Sequence, residues 1–231
     1  SDSRSARAPA LPLNPSLEER AAHALTHLPF RAWCGICVSA RAQDPRHPKR
    51  PEGVPPDKPV LQLDFFFLAK KADRNLAVGI TIVDCTTAAI AGAGIPRKGK
   101  GLYVIEFLLT VLDEWGVIEC VVRSDQEPAI TSVCQELRRR RQLMGLSTIL
   151  EKSPRYSHAS LGHAEEGNKL LEQQVRCLLA TIHEKVGKEV GSEDDLLPWA
   201  IRHGAWLVHR FRVLDTGRTS FRLVKGRDYS G

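Results

Sequence analysis

Val60-Leu61-Gln62-Leu63-Asp64-Phe65-Phe66-Phe67-Leu68 is an apolar run with one carboxylate at its centre. Its length and aromatic content predict a buried strand, closed by the polar turn Lys70-Lys71-Ala72-Asp73-Arg74-Asn75. Leu76 to Val83 predicts a second strand, and Thr86 to Ala93 a third that ends in a Gly-rich turn. From Leu102 to Trp115 the period changes. Val104, Phe107, Leu108, Val111 and Leu112 recur at helical spacing, and Gly116 stops the helix. Val117 to Val122 reads as a short buried strand. Pro128 opens a second helix that runs to about Gln142. Ser147 to Leu150 predicts a brief strand. Gly162 to Val186 predicts a long helix with Leu170, Leu171, Val175, Leu178, Leu179 and Ile182 on one face, and Leu196 to Phe211 a last helix. This order predicts an α/β fold, a mixed five-stranded sheet with helices on both faces.

Upstream, Ser1 to Ser16 is rich in Pro, Ala, Ser and Arg and reads as a disordered arm. A short polar helix is expected from Leu17 to about Thr26. Pro45, Pro48, Pro51, Pro55, Pro56 and Pro59 forbid regular structure and predict a semi-rigid linker. The expected organisation is an arm (1–16), a small His/Cys element (17–44), a linker (45–59), the main domain (60–211) and a basic extension (212–231). With 231 residues, 42% hydrophobic and 26% charged, the chain can bury a core, which excludes collagen-like, coiled-coil and fully disordered classes. The longest apolar run falls far short of the ~20 residues of a membrane span. No basic-then-apolar leader stands at Ser1, so the six cysteines are expected as reduced thiols inside a cell. The net charge of +6 suits a polyanionic partner.

Three carboxylates stand out by position. Asp64 sits inside the first strand, Asp125 follows the strand Val117–Val122 in the turn Arg123-Ser124-Asp125, and Glu165 lies near the start of the long helix. An isolated strand Asp is ordinarily an edge residue that binds nothing. A carboxylate placed among apolar neighbours is costly unless something compensates it, and Mg²⁺ or Mn²⁺, which take oxygen ligands, would do so. Two such ions suit an in-line phosphoryl transfer.

These stretches resemble a known family. Leu61-Gln62-Leu63-Asp64-Phe65-Phe66, Arg123-Ser124-Asp125-Gln126-Glu127-Pro128-Ala129-Ile130 and Gly162-His163-Ala164-Glu165-Glu166-Gly167-Asn168-Lys169 resemble the integrase catalytic core of LTR retrotransposons and retroviruses. Ile82-Val83-Asp84-Cys85-Thr86-Thr87 looks like that family's second-strand ending. The segment from Asp215 to Arg227 is similar to the ending of retrotransposon cores. The resemblance implies an RNase H-like fold with a D,D,E triad of Asp64, Asp125 and Glu165. Glu166 is the rival for the third position. Glu165 is preferred because Ala164 precedes it and Asn168 falls three later, as in the family. The gap of 39 residues between Asp125 and Glu165 is longer than the family's common one. The loop Lys152–Leu161 would be a flap over the site, and Leu161 replaces the family's Asn.

His23-x3-His27-x6-Cys34-x2-Cys37 offers a His₂Cys₂ set for a closed structural Zn²⁺ site. It resembles the N-terminal module of integrases with a shortened gap between His27 and Cys34, which predicts a compact knuckle-like turn. His47 is a substitute ligand in this reading. Plain thiols are the alternative. Arg138 to Arg141 puts charge on all sides of a helix end, so Arg138 and Arg139 are candidates for phosphate contact. Lys169, Arg218, Arg222, Lys225 and Arg227 are further nucleic-acid candidates, the last four within the basic stretch Arg210 to Arg227.

The resemblance implies a polynucleotidyl transferase that processes 3′ ends and joins double-stranded DNA ends to target DNA, using two Mg²⁺ or Mn²⁺ ions, with Zn²⁺ in the small element. It implies a homo-oligomer, no membrane partner, synthesis in the cytoplasm within a polyprotein of a transposable element, and action in the nucleus. The competing readings are a decayed or domesticated integrase that only binds DNA, and a related RNase H-like nuclease.

Overall fold

The computed structural model describes residues 15–40, 58–68, 77–152 and 161–231. Most of the expected arm, the linker with His47, the turn from Lys70 and the greater part of the Lys152–Leu161 loop lie outside them. In chain order the elements are α1 (Leu17–Thr26), α2 (Gly35–Ala40), β1 (Val60–Leu68), β2 (Ala77–Asp84), β3 (Ile90–Ile95), α3 (Leu102–Glu114), β4 (Glu119–Ser124), α4 (Pro128–Leu143), β5 (Ser147–Lys152), α5 (Gly162–Val186), α6 (Leu196–Phe211) and α7 (Ser220–Lys225).

The five strands form one mixed sheet in the order β3-β2-β1-β4-β5. β1 runs antiparallel to β2, with Asp64 opposite Thr81, and parallel to β4, with Val60 opposite Val121. β1 is therefore central, and its pleat sorts side chains between two layers. Leu61, Leu63 and Phe65 enter the core under α3 and α4. Phe66 enters the second core, built with Leu171 and Val175 of α5 and Ile201 and Val208 of α6. Gln62 and Asp64 share that second face, so the strand's polar groups look toward α5. The helix lies very close to the sheet. A Cβ on Gly167 would stand 2.6 Å from Val83 Cγ2, and one on Gly92 would stand 2.5 Å from Leu171 Cδ2.

The expected sheet and main helices are present, with shifted edges. β3 starts at Ile90 rather than Thr86 because Asp84 turns the chain. Its carboxylate accepts from Thr86 N–H at 2.9 Å and from the Thr87 hydroxyl at 2.6 Å. β4 starts at Glu119 rather than Val117, because Gly116 takes φ 71° and Val117 N–H still bonds back to Leu112 O. β5 runs on to Lys152, paired with Ser124.

Two elements were not legible, α2 and α7. Thr219 caps α7 by accepting from Arg222 N–H, Ser220 donates to Ala88 O, and Phe221 is buried against the Tyr229 and His209 rings. Through α7, the C-terminal stretch packs on α6 and on the turn at Ala88. No described helix is long and apolar enough to cross a membrane.

Candidate active site and metal centre

The second face of β1 carries the site. Asp64 Oδ1 accepts from Phe65 N–H at 2.8 Å, and Asp64 Oδ2 accepts from Asn168 Nδ2 at 2.7 Å. Thr81, the β2 partner of Asp64, donates its hydroxyl to Asn168 Oδ1. That bond fixes which end of the buried Asn168 amide faces the carboxylate. Two residues before Asp64 on the same face, Gln62 is buried, and its Oε1 accepts from Ala164 N–H at 2.8 Å. Ala164 is in the first turn of α5, where backbone N–H groups have no partner within the helix. Gln62 and Asn168 together therefore tie the start of α5 to the strand that carries Asp64. Asp125 follows β4 directly, and its Oδ1 accepts from Glu127 N–H at 3.1 Å. Glu127 is held in turn by Lys98 at 2.7 Å.

Asp125 and Glu165 both act on Asp64. Burial is the main cause that lifts the Asp64 carboxyl from its ordinary 3.8 to about 6, and the charges of Asp125 and Glu165 push the same way. The Phe65 N–H and Asn168 hydrogen bonds offset part of this. Glu166 points elsewhere. Both glutamates are exposed, and Glu166 meets Arg212 at 3.3 Å. Adjacent helix residues differ by ~100° in direction, so one glutamate faces Asp64 and the other does not. Asp64 on β1, Asp125 after β4 and Glu165 at the start of α5 are thus near enough for the last two charges to act on the first. Carboxylate oxygens that repel one another are the type of donor that Mg²⁺ or Mn²⁺ takes.

The His/Cys element forms a second cluster. The ligand atoms of His23, His27, Cys34 and Cys37 all lie within 4.8 Å of one another. His23 is in the last turn of α1, and His27 caps that helix in the left-handed conformation, φ 54°. This reverses the chain so that Cys34 and Cys37, at the start of α2, return to the two imidazoles. His23 Nε2 lies 3.2 Å from Cys37 Sγ, and His27 Nδ1 lies 3.6 Å from Cys34 Sγ and 3.8 Å from Cys37 Sγ. Ligands held tetrahedrally at ordinary Zn–N and Zn–S lengths stand about 3.3–3.8 Å apart. Three of the separations are close to that range and the donors are of the type zinc takes, so the set suits zinc. Burial, with a contribution from Cys37, raises the Cys34 thiol above its ordinary range.

Of the basic candidates, Arg139, Arg222 and Lys225 are engaged with other parts of the chain. Arg141 is buried, and it donates to Thr148 Oγ1 at 2.7 Å and to the carbonyls of Val117 and Ile118, both at 2.9 Å. One member of the four-Arg run is thus a core cross-brace from α4 to β5. Arg139 pairs with Glu136 at 2.7 Å and Arg140 pairs with Glu106, while Arg138 is exposed. In the C-terminal stretch, Arg222 pairs with Asp228 at 2.7 Å, and Lys225 donates to Glu114 O. Arg210 lies over the Trp206, Phe221 and Tyr229 rings. Arg218, Arg227 and Lys169 are exposed. These cations hold the surface together more than the sequence suggests. The spacing of Gln62 to Asp64 and of Glu165 to Asn168 was the signal for the two anchoring amides, which the sequence reading left without a role.

By sequence, no protein-family profile and no curated protein matches the chain. Comparison of folds gives a different result. A chain of the simian T-cell lymphotropic virus intasome, solved in complex with the PP2A regulatory subunit B56 gamma, superposes with a TM-score of 0.56 at 20% identity, over 86% of this chain. This chain spans 65% of the length of that one. The HTLV-2 integrase catalytic core domain in complex with magnesium, in its trimeric form, matches with a TM-score of 0.52 at 16% identity, over 75% of this chain and 99% of that one. The BIV integrase catalytic core domain matches with a TM-score of 0.50 at 16% identity, over 71% of this chain and 92% of that one. The chain therefore has the fold of the retroviral integrase catalytic core, an RNase H-like mixed sheet, with a His₂Cys₂ element packed beside it.

Proposed function

We propose that the protein is an integrase-type polynucleotidyl transferase, with Asp64, Asp125 and Glu165 as its metal-binding triad. What supports this reading is an integrase-core fold that carries Asp64 on β1, Asp125 after β4 and Glu165 at the start of α5, with the charges of the last two acting on the first. Two divalent ions, when bound, would activate the attacking oxygen and stabilise the leaving 3′-oxygen. The chain's own part is positional. Phe65 N–H and Asn168 hold the two oxygens of Asp64 in a fixed orientation. Gln62 holds the first turn of α5, and with it Glu165. The turn at Glu127 aims Asp125. The four residues of the His/Cys element would hold a structural Zn²⁺. The substrate class is double-stranded DNA, the ends of a transposable element and its target, handled by an oligomer in the nucleus. Lys169, Arg138, Arg218 and Arg227, which are exposed, are the cations best placed for phosphate contact.

The test is strand transfer with labelled double-stranded DNA ends in Mg²⁺ or Mn²⁺ against a control without added divalent ion. Asp125→Asn and Glu165→Gln are expected to abolish metal-dependent joining while DNA still shifts on a gel. Glu166→Gln is expected to keep it. DNA binding without cleavage or joining in the wild type would favour a binding remnant on this fold. Cutting of RNA in a hybrid without joining would favour a related nuclease.

A further inference from the structure

His27 has two ring nitrogens, and the structure gives them different work. Nδ1 faces Cys34 Sγ and Cys37 Sγ, and Nε2 lies 3.0 Å from the hydroxyl of Thr181, across the boundary between the His/Cys element and α5. Thr181 Oγ1 is also 2.9 Å from Cys177 O, one turn back in the same helix. A hydroxyl has one proton. A carbonyl can only accept, so Thr181 donates to Cys177 O and must accept from His27. The proton of the neutral imidazole then sits on Nε2. The lone pair is left on Nδ1, the nitrogen that faces the thiols. Thr181 thereby selects the tautomer that can ligate.

We propose that Thr181 is the outer partner of the zinc site, and that metal capture by the small element is coupled through it to docking on α5. This rests on the zinc reading above. Two further contacts join the same surfaces. Gln174 Nε2 donates to Thr26 O at 2.5 Å, and Leu28 is buried in the core cluster that contains Leu171 and Val175. The helix that receives the metal-binding element at its middle turns carries Glu165 and Asn168 at its start. Zinc would therefore brace the same helix that presents the carboxylate, through a threonine that touches neither the metal nor the triad. A hydrogen bond to the distal nitrogen of a ligating histidine fixes the ring and raises its basicity, and its loss lowers metal affinity ~10–100-fold.

The experiment is zinc titration of the full chain against a chromophoric chelator of known affinity, together with hydrogen–deuterium exchange of the α5 amides with and without zinc. Thr181→Val keeps the shape and removes the hydroxyl, and Thr181→Ala is a second variant should valine misfold. Either is expected to bind zinc ~10–100-fold more weakly. Thr181→Ser is expected to restore wild-type affinity. In the wild type, zinc is expected to slow exchange over residues 174–181, and in Thr181→Val that slowing is expected to shrink. Wild-type affinity and wild-type protection in both hydroxyl-free variants would overturn the role of Thr181 while leaving the zinc site intact. Failure of the wild type to take up one zinc per chain would overturn the zinc reading and this inference with it.

Discussion

Asp64→Asn is expected to make the protein more stable in the absence of divalent ions. The Asp64 carboxyl sits near 6 against an ordinary 3.8, chiefly through burial and then through Asp125 and Glu165. The folded state therefore holds this proton more tightly than the unfolded chain does. The sign follows from linkage: the stability is fully present below 3.8 and is lost as pH rises through about 6. Above that value the ionised carboxylate costs the fold roughly 3 kcal/mol. The amide variant removes this penalty and introduces one conflict, because the new amide nitrogen would face Asn168 Nδ2. Asn168 can turn over, accepting from residue 64 with its oxygen and donating to the Thr81 hydroxyl with its nitrogen. That exchange costs part of the gain, which leaves about 1–2 kcal/mol at pH 7.5. Roughly half of the penalty has gone by pH 5, so the advantage of the variant is expected to shrink there.

The assay is urea unfolding of wild type and Asp64→Asn at pH 5 and 7.5, with and without millimolar Mg²⁺. In Mg²⁺ the wild type is expected to recover, since an ion held by the triad stabilises only the folded state. A variant less stable than wild type at pH 7.5 without Mg²⁺, or a difference that ignores pH, would refute the reasoning.

Gln62→Leu leaves the Ala164 N–H without its buried acceptor and is expected to cost ~1–3 kcal/mol in urea unfolding. Because α5 then loses one of its two ties to β1, metal-dependent activity is expected to fall by more than the stability loss explains. Arg141→Met breaks the three hydrogen bonds from a fully buried guanidinium, and a loss of ~2–4 kcal/mol is expected by thermal unfolding, whereas Arg138→Ala is expected to leave the midpoint unchanged. Gly167→Ala puts a methyl 2.6 Å from Val83 Cγ2, so α5 must lift from the sheet, with an expected cost of ~1–3 kcal/mol and a broadened set of α5 signals in an NMR spectrum.

Local sequence was enough for the sheet and the long helices, because their signals are periodic and uninterrupted. The run from Val60 to Leu68 reads as a strand by its length and aromatic content, and the apolar face of Gly162–Val186 reads as a helix by its spacing. The order of elements, together with the motifs around Asp64, Asp125 and Glu165, pointed to the integrase core at a level of identity that sequence matching did not reach. The His₂Cys₂ spacing likewise pointed to a metal, and its ligand atoms do converge.

What sequence could not decide was every choice made across long separations. Glu165 and Glu166 are neighbours in the chain, and it is the packed helix that pairs Glu166 with Arg212 while the charge of Glu165 acts on Asp64. Four consecutive arginines look alike in sequence, yet Arg141 is buried because Thr148 and the carbonyls of Val117 and Ile118 meet it. The C-terminal stretch reads as a basic extension, and only the packed structure shows its Phe221 and Tyr229 rings set against Arg210. Thr181 lies 154 residues from His27, and nothing in its neighbourhood marks it as a partner. Periodicity is written in residues a few positions apart, so it survives in the sequence. Hydrogen-bond partners and charge environments are set by which surfaces meet, and those exist only once the helices have packed on the sheet.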